Sequence, residues 1–500
     1  MAPLKPSLVW CRLFLALTLI LASTLPASAE APSFRWSQRV GGEHHDYGTG
    51  IAVDDYGNTF VVGYFRDIGI FDHHKLESNG EADVVVAKLD RLGNIVWVNQ
   101  IGGSADDFGR AIAIDHEGNC YVTGAFQSTI AEIKVGHEKG RKVGELKKQS
   151  DSEIFVAKFD NKGHLVWART GGSGPGGSGN ALAVDVEGNV YVTGYFFGLG
   201  VFEDLTLNNS GYTDIFVARY DPTGELVWVR QIGGRSDDVA TSIAVDEQGS
   251  IFLAGAFSED MQVARNIKLR SEGLFDAFLI KLDSEGRTAW ATKGGGYMND
   301  IAYDVALDPA GNVIIAGGFA GSESFASEFR THAGYRKPRR RYTRAYFGRR
   351  RVTSKGGSDV FVAKYNPAGK MVWVQRAGGN KQGCPEAGFG VAIDALGHAH
   401  VTGTFAGRVQ FGNNMLISRG IGDVFAMELD RDGRVLWARQ AGATYGPPNV
   451  GYDIAVDRGG NSYLTGYFEG NVTFGEGIVK SQGKSDIFVA KLTASFMPPR

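Results

Sequence analysis

The chain has 500 residues, 43% of them hydrophobic, with a formal net charge of -3. Glycine makes up 70 of the 500, about twice the usual ~7%, yet it lacks a collagen period and recurs at fixed turn positions, which excludes both a collagen-like rod and a disordered chain. Length alone would suggest about three domains, but an internal repeat overrides that prior.

At the N-terminus Lys5 and Arg12 precede an apolar run over residues 13–25, followed by Ala27, Ser28 and Ala29. This is the layout of a secretory signal, with cleavage expected after Ala29, a leader over 1–29 and a single domain over 30–500. The run is too short to span a bilayer. The mature protein is therefore expected to be exported, periplasmic or extracellular, and not integral to a membrane. Only Cys120 and Cys384 follow the leader, far apart in the repeat, and two unpaired thiols are expected.

The first copy of the repeat begins with IAVD at residues 51–54, turns through Gly57 and continues as TFVVGYF at 59–65. DVVVAKLD (83–90) and IVWVNQI (95–101) follow, joined through Gly93. Alternating Val, Ile, Phe and Tyr with Asp and Gly at the turns predicts four antiparallel strands per copy. The IAVD phrase recurs with its Asp at 54, 115, 185, 246, 308, 394 and 457, so the unit is 61 residues long with insertions in the second and fifth copies. The closing strand carries Trp97, Trp167, Trp228, Trp290, Trp373 and Trp437. The seventh copy stops at DIFVAKL, 486–492, without its Trp strand, while FRWSQRVGG around Trp36 stands alone before the first copy.

These spacings predict an all-β fold: a seven-bladed beta-propeller of four-stranded antiparallel blades, closed by an N-terminal strand that completes the last blade. The IAVD strand is expected innermost and the Trp strand outermost.

IAVDxxGNxYVTGYF and DxFVAKLDxxGxLVW, present across residues 34–492, resemble the bacterial SBBP beta-propeller repeat. The resemblance implies the fold and is nearly silent about function. The Ala87, Gly93, Trp97 spacing is also similar to the tryptophan-docking motif of quinoprotein propellers, and recurs at Ala157-Gly163-Trp167, Ala218-Gly224-Trp228 and Ala363-Gly369-Trp373, while Ile280 and Met427 replace the Ala. That likeness implies a blade-docking role for Trp36, Trp97, Trp167, Trp228, Trp290, Trp373 and Trp437. The quinone is not implied, because those enzymes are eight-bladed and the adjacent Cys pair many of them use is missing. No cofactor is expected.

The fifth copy departs most from the repeat, over residues 320–358. Its basic stretch, 330–355, holds eleven Lys or Arg and no acid, among them Arg336, Lys337, Arg339, Arg340, Arg341, Arg344, Arg349, Arg350 and Arg351, with Tyr342 and Tyr346 interleaved. Without the leader the net charge is -5, and without this arm -16, so an acidic body carries one basic arm. Guanidinium forks suit phosphate, sulfate and carboxylate, and aromatic rings suit sugars or bases. In an exported monomer the expected partner is an anionic envelope polymer, a lipid headgroup or a protein, and nucleic acid is disfavoured. The bland alternative is a solvated loop. The second copy has a smaller basic insertion at 127–152, in the same connection and so on the same face.

His44 and His45 precede the first inner strand, and His73 and His74 lie in the following connection. They are metal candidates only in that imidazoles suit transition metals, since no compact ligand spacing is present. His398 and His400 replace the Asn and Tyr of other copies and read by default as core or surface substitutions. The repeated acids Asp83, Glu153, Asp214, Asp276, Asp359, Asp423 and Asp486 read as structural, because a ring of identical carboxylates satisfies backbone donors. No catalytic order or phosphate loop stands out. The sequence therefore favours a non-enzymatic binding or scaffold protein acting through its loop-rich face. The competing class is an envelope enzyme, a lyase or quinone-type oxidoreductase, with symmetry-breaking polar residues gathered at a channel mouth.

Overall fold

The computed structural model describes residues 32–136, 140–148, 151–174, 176–321, 343–380, 386–443 and 446–493. Every element among them is a β-strand, and every strand-to-strand ladder is antiparallel. In the first copy the strands run Tyr47–Val53, Thr59–Phe71, His74–Leu89 and Ile95–Gly102. Two tight turns build this sheet. In the first, Asp54 Oδ1 accepts the backbone N–H groups of Tyr56 and Asn58, and Gly57 takes φ +81, a conformation that L side chains resist. The third and fourth strands join through the same device at Asp90 and Gly93.

The second and third strands run on past the sheet as a hairpin arm, from Ile68↔Glu77 to Phe71↔His74. This arm pairs with the outer strand of the copy before it, at Gly41↔Ile70 and Gly42↔Gly69. The same overlap recurs further on, with Gly102↔Glu132 and Gly294↔Phe347. Sheets thus continue from one copy into the next. The 320–358 insertion is no wholly new loop, since its described C-terminal half, Arg344–Phe347 and Arg350–Thr353, is the fifth copy's version of an arm that the other copies share.

The core lies between neighbouring sheets: Phe60, Val62, Val84 and Val86 of the first copy pack with Val122, Phe155 and Phe159 of the second. Cys120 is fully buried in this layer, and Cys384 lies outside the described residues. Inner strands contact their neighbours in succession, and Tyr47–Val53 contacts both Asp107–Ile114 and Val450–Val456. The detached strand Phe34–Gly42 pairs with Asp486–Leu492, with Trp36 opposite Lys491.

The tryptophans interlock the copies. An ideal Cβ built on Gly163 would stand 2.8 Å from the indole of Trp97 in the preceding copy, and on Gly224 2.7 Å from Trp167. Gly286, Gly369 and Gly433 receive Trp228, Trp290 and Trp373 in the same way, and Gly93 receives Trp36. The indole N–H groups of Trp97, Trp167, Trp228, Trp290 and Trp373 donate to main-chain carbonyls of the same turns, Trp97 to Asn161 at 3.2 Å and Trp373 to Arg431 at 2.9 Å, whereas the Trp36 N–H has no partner among the described residues. Trp437 departs from the pattern. Its indole N–H donates instead to the Glu428 carboxylate within its own sheet.

Gly163→Ala places a methyl group against the Trp97 ring at φ +85 and is expected to cost about 2–4 kcal/mol. Gly176→Ala, with nothing within 4 Å of the added Cβ, should stay within about 0.5 kcal/mol. Urea unfolding of the two variants compares them directly.

Candidate functional site

The arms share a face with the connections that lead from each outer strand to the next inner strand. Two buried carboxylates hold five of these corners. Asp83, Asp214, Asp276, Asp359, Asp423 and Asp486 are fully buried and accept backbone N–H groups four residues earlier, as Asn79 to Asp83 at 3.0 Å and Gln482 to Asp486 at 2.8 Å. A second set begins the inner strands: Asp46, Asp107, Asp238, Asp300 and Glu386 accept the N–H groups of Gly42, Gly103, Gly234, Gly296 and Gly379 at 2.6–2.8 Å. The two sets meet over glycine. A Cβ on Gly41 would stand 2.6 Å from both Asp46 Oδ2 and Asp486 Oδ1. Burial pushes Asp46 and Asp83 up to about 7, Glu386 to about 8 and Asp238 to about 9. These acids are structural cement for the face.

On that scaffold the two basic insertions differ. In the fifth copy Ala345 and Phe347 are fully buried, seated against Gly294–Gly296, and the Phe347 ring lies 4.5 Å from Phe361. The alternate residues Arg344 and Tyr346, with Arg349, Arg350 and Arg351 at the turn and return strand, are exposed. None of these four arginines has a carboxylate partner among the described residues. Arg336, Lys337, Arg339, Arg340, Arg341 and Tyr342 lie outside the described residues. In the second copy the charge is cancelled locally: Lys142 pairs with Glu132 at 3.2 Å and Glu145 at 2.8 Å, and Lys147 with Glu145 at 3.1 Å.

The four first-copy histidines fall into two separate places. His44 Nε2 lies 3.3 Å from Asp67 at the root of the arm, and His45 Nδ1 2.9 Å from the Ser485 hydroxyl. His73 pairs with Asp72 at the arm's tip, its ring 4.1 Å from that of His74. The described His and carboxylate side chains whose donor atoms gather within 4.8 Å are elsewhere, Asp394, His398 and Glu428 in the sixth copy.

At the inner end of the face an open cavity of ≈ 660 Å³ is lined by His44, His45, Tyr47, Tyr64, Arg66 and Phe108, among others. Tyr47 and Tyr64 belong to a longer aromatic arc. Ring centroids step from Phe108 to Tyr64 (4.9 Å), Tyr47 (5.1 Å), Tyr467 (4.7 Å), Tyr452 (5.8 Å), Phe389 (5.6 Å) and Tyr303 (4.8 Å). The arc runs from the second copy back through the first, seventh and sixth to the fifth.

Three segments of the chain, residues 35–64, 96–125 and 227–256, match the family model SBBP, a beta-propeller repeat. The chain carries SBBP beta-propeller repeats. A WD repeat-containing protein of Acanthamoeba polyphaga mimivirus, L264, is 22% identical over 87% of this chain and 36% of its own length. Regulatory protein FlaEY of Caulobacter vibrioides is 28% identical over 42% of this chain and 22% of its own length. The chain thus spans about a third or less of these relatives. Among solved structures it is similar to Chaetomium thermophilum Raptor (TM-score 0.46, 9% identity, 96% of this chain, 31% of that one) and to Sqt1 of the same organism (TM-score 0.41, 10% identity, 93% and 100%).

Within the SBBP repeat, the residue at a bulge in each inner strand changes from copy to copy: Thr49, Arg110, Asn180, Thr241, Tyr303, Phe389 and Tyr452. Thr49, Asn180 and Thr241 donate to carbonyls of the next copy, Gly109, Ala240 and Ala302, at 2.6–2.9 Å. Tyr303, Phe389 and Tyr452 stack with one another, and Arg110 lies over the Phe108 ring at 5.5 Å. The next position holds Asp304 in the fifth copy and Asp453 in the seventh, both pushed up by burial and Asp453 also by the charge of Asp304. They accept the N–H groups of Val391 and Ile51 at 2.6 and 2.8 Å, so each carboxylate staples its inner strand to the next. Reading motifs one by one missed this column. Lining up the copies five and four residues before the turn Asp would have exposed it.

The buried corner acids fix the sign of a pH effect. Their folded-state values lie above the ordinary carboxylate range, so between pH ~4 and about 7 to 9 the folded chain holds protons that the unfolded chain releases. The stability they contribute is present at low pH and falls as pH rises through that window. The melting temperature should therefore be higher at pH 5 than at pH 8.5, by a few degrees if the net effect is about 1–2 kcal/mol. Calorimetry across that range measures it.

Proposed function

We propose that the chain is an exported, non-enzymatic binding or scaffold protein: one seven-bladed propeller domain over residues 30–500, closed by Phe34–Gly42, that holds an anionic partner on its loop face. Three observations support closure. The Trp36 indole sits on Gly93 of the first copy while its strand pairs with the seventh, Tyr47–Val53 touches Val450–Val456, and the aromatic arc crosses the same seam at Tyr47 and Tyr467. Export rests on the charged, apolar and small-residue run of the first 29 residues, and no helix among the described residues is long and apolar enough to cross a membrane.

The contrast between the two basic hairpins carries the binding role. Self-neutralised lysines in the second copy have little left to offer a ligand, whereas Arg344, Arg349, Arg350 and Arg351 stand exposed on a strand pair anchored by Ala345 and Phe347. Arginine forks on a preorganised hairpin suit repeated sulfate, phosphate or carboxylate groups, and binding through them is sensitive to salt. The match to a WD repeat-containing protein over most of this chain fits a scaffold of this kind.

Dextran sulfate is a suitable first probe. Replacing Arg349, Arg350 and Arg351 with Glu should weaken its binding at least tenfold and flatten the salt dependence, while Arg141→Glu in the second copy should change affinity less than twofold. Equal binding by both variants would remove the fifth-copy arm from the reading. Closure has its own test. Deleting residues 30–41 strips the partner strand from Ile487 and Val489, both buried, and should lower the melting temperature by about 5 °C or more, an effect of several kcal/mol. An unchanged melt would refute a closed ring.

A further inference from the structure

In most copies the turn Asp is neutralised in a fixed way. Its Oδ1 accepts backbone N–H groups, and its Oδ2 is capped by an Asn amide at 2.7–2.8 Å in the first, second, third and fifth copies. A tyrosine hydroxyl adds a second cap at 3.0 Å in the second, third and seventh. A lysine from the third strand stands nearby as counter-charge, Lys364 2.8 Å from Asp308 and Lys491 4.0 Å from Asp457. The sixth copy changes all three partners of its turn Asp, Asp394. Asn becomes His398, Tyr becomes His400, and Lys becomes Glu428.

The result is two carboxylates where the other copies have a carboxylate and an ammonium. The Asp394 Oδ1 still accepts the His398 N–H at 2.8 Å. Its Oδ2 is no longer capped at hydrogen-bond distance: His398 Nδ1 and His400 Nε2 each stand 3.6 Å away. The His400 side chain is 2% exposed. Its Nδ1 is held 2.9 Å from the Ser462 hydroxyl, and its Nε2, aimed at Asp394, has no hydrogen-bond partner. Glu428 closes the group, with Oε1 2.7 Å from His398 Nδ1 and Oε2 receiving the Trp437 indole N–H.

We infer that Asp394, His398 and Glu428, whose donor atoms lie within 4.8 Å of one another, form with His400 beside Asp394 a binding site for a divalent first-row transition metal ion such as zinc. Two ligands bound at ~2.0–2.2 Å to a tetrahedral ion lie roughly 3.3–3.5 Å apart, close to the 3.6 Å at which both imidazole nitrogens stand off from Asp394 Oδ2. A mixed imidazole and carboxylate donor set suits zinc and its neighbours in the row. The ion restores the positive charge lost with the lysine. Ser462 and Trp437 then act as outer partners that orient His400 and Glu428. His398 and Glu428 keep partial exposure, which leaves a path for entry.

The test uses full-length protein stripped with a chelator and titrated with Zn(II) or Co(II) alone. One ion per chain at micromolar affinity or tighter is expected, and Co(II) should give visible d–d absorption. The control carries the residues of the other copies, His398→Asn with His400→Tyr and Glu428→Lys, a combination the repeat already folds around. It should lose at least 100-fold in affinity and the Co(II) spectrum while keeping the wild-type circular dichroism. Glu428→Gln, which keeps an acceptor for Trp437, should lose at least tenfold. No stoichiometric binding by the wild type, or equal binding by the control, would overturn the site, the latter pointing instead to the first-copy histidines.

Discussion

The structure depends on a contact made where a side chain is missing. Each outer-strand indole rests in the space that a Cβ would fill on the third-turn glycine of the next copy, from Trp36 on Gly93 to Trp373 on Gly433. The glycine serves two ends there. It takes positive φ, which the turn requires, and it leaves its face open to an aromatic ring. A single residue type thus sets the turn within one copy and the packing between two, so sheets too small to bury both faces alone are locked in sequence. The arms reinforce the lock from the other end, each pairing with the outer strand behind it.

The corner acids show the cost of such tight joints. Bringing an outer strand, an arm and a new inner strand together leaves backbone N–H groups without ladder partners, and buried donors must be satisfied. Carboxylates are compact acceptors that reach several donors at once: Asp107 takes the N–H groups of Gly103, Gln127 and Ser128 as well as the Ser128 hydroxyl. Pairing two acids over one glycine would be untenable if both were ionised, and burial resolves it by favouring the protonated form. Arg39, Lys293 and Arg376 supply counter-charge at three corners, to Asp486, Asp276 and Asp359. Gln100 and Gln231 supply only hydrogen bonds at two others, to Asp83 and Asp214.

Much of this was legible in the sequence, because turn chemistry is local. Asp54 to Asn58 with Gly57 specifies a tight turn from five consecutive residues, and its recurrence marks every copy. The structural reading of Asp83 and its equivalents, and the meeting of the Trp36 strand with residues 486–492, followed from repetition alone. The arms did not follow. Their pairing partner lies in another copy, and residues such as Ile68, Gly69 and Ile70 read as ordinary loop until Gly41 and Gly42 are seen beside them. The anchoring of the basic arm was hidden in the same way. Its charge drew attention, while the anchors Ala345 and Phe347 carry no signal without the glycines of the preceding copy. The aromatic arc was hidden for a different reason, since its members come from three positions of the repeat spread over five copies.

The sixth copy shows how a departure at one point propagates. Trp437 is the outer-strand tryptophan that precedes the seventh copy, and its N–H donates to the Glu428 carboxylate and not to a main-chain carbonyl of a following turn. The acceptor comes from within its own sheet, and the opposing position on the third strand, Trp437↔Glu428, is where a lysine stands in the first copy, Lys88↔Trp97. An ammonium cannot accept; a carboxylate can. Once Glu428 is acidic, Asp394 has lost its counter-charge, and its caps can no longer be neutral without leaving two carboxylates facing each other in a half-buried site. His398 and His400 answer that need with nitrogen donors that either carry a proton or ligate a cation. The histidines that looked like isolated substitutions are thus tied, through Glu428, to the acceptor that Trp437 uses within its own sheet.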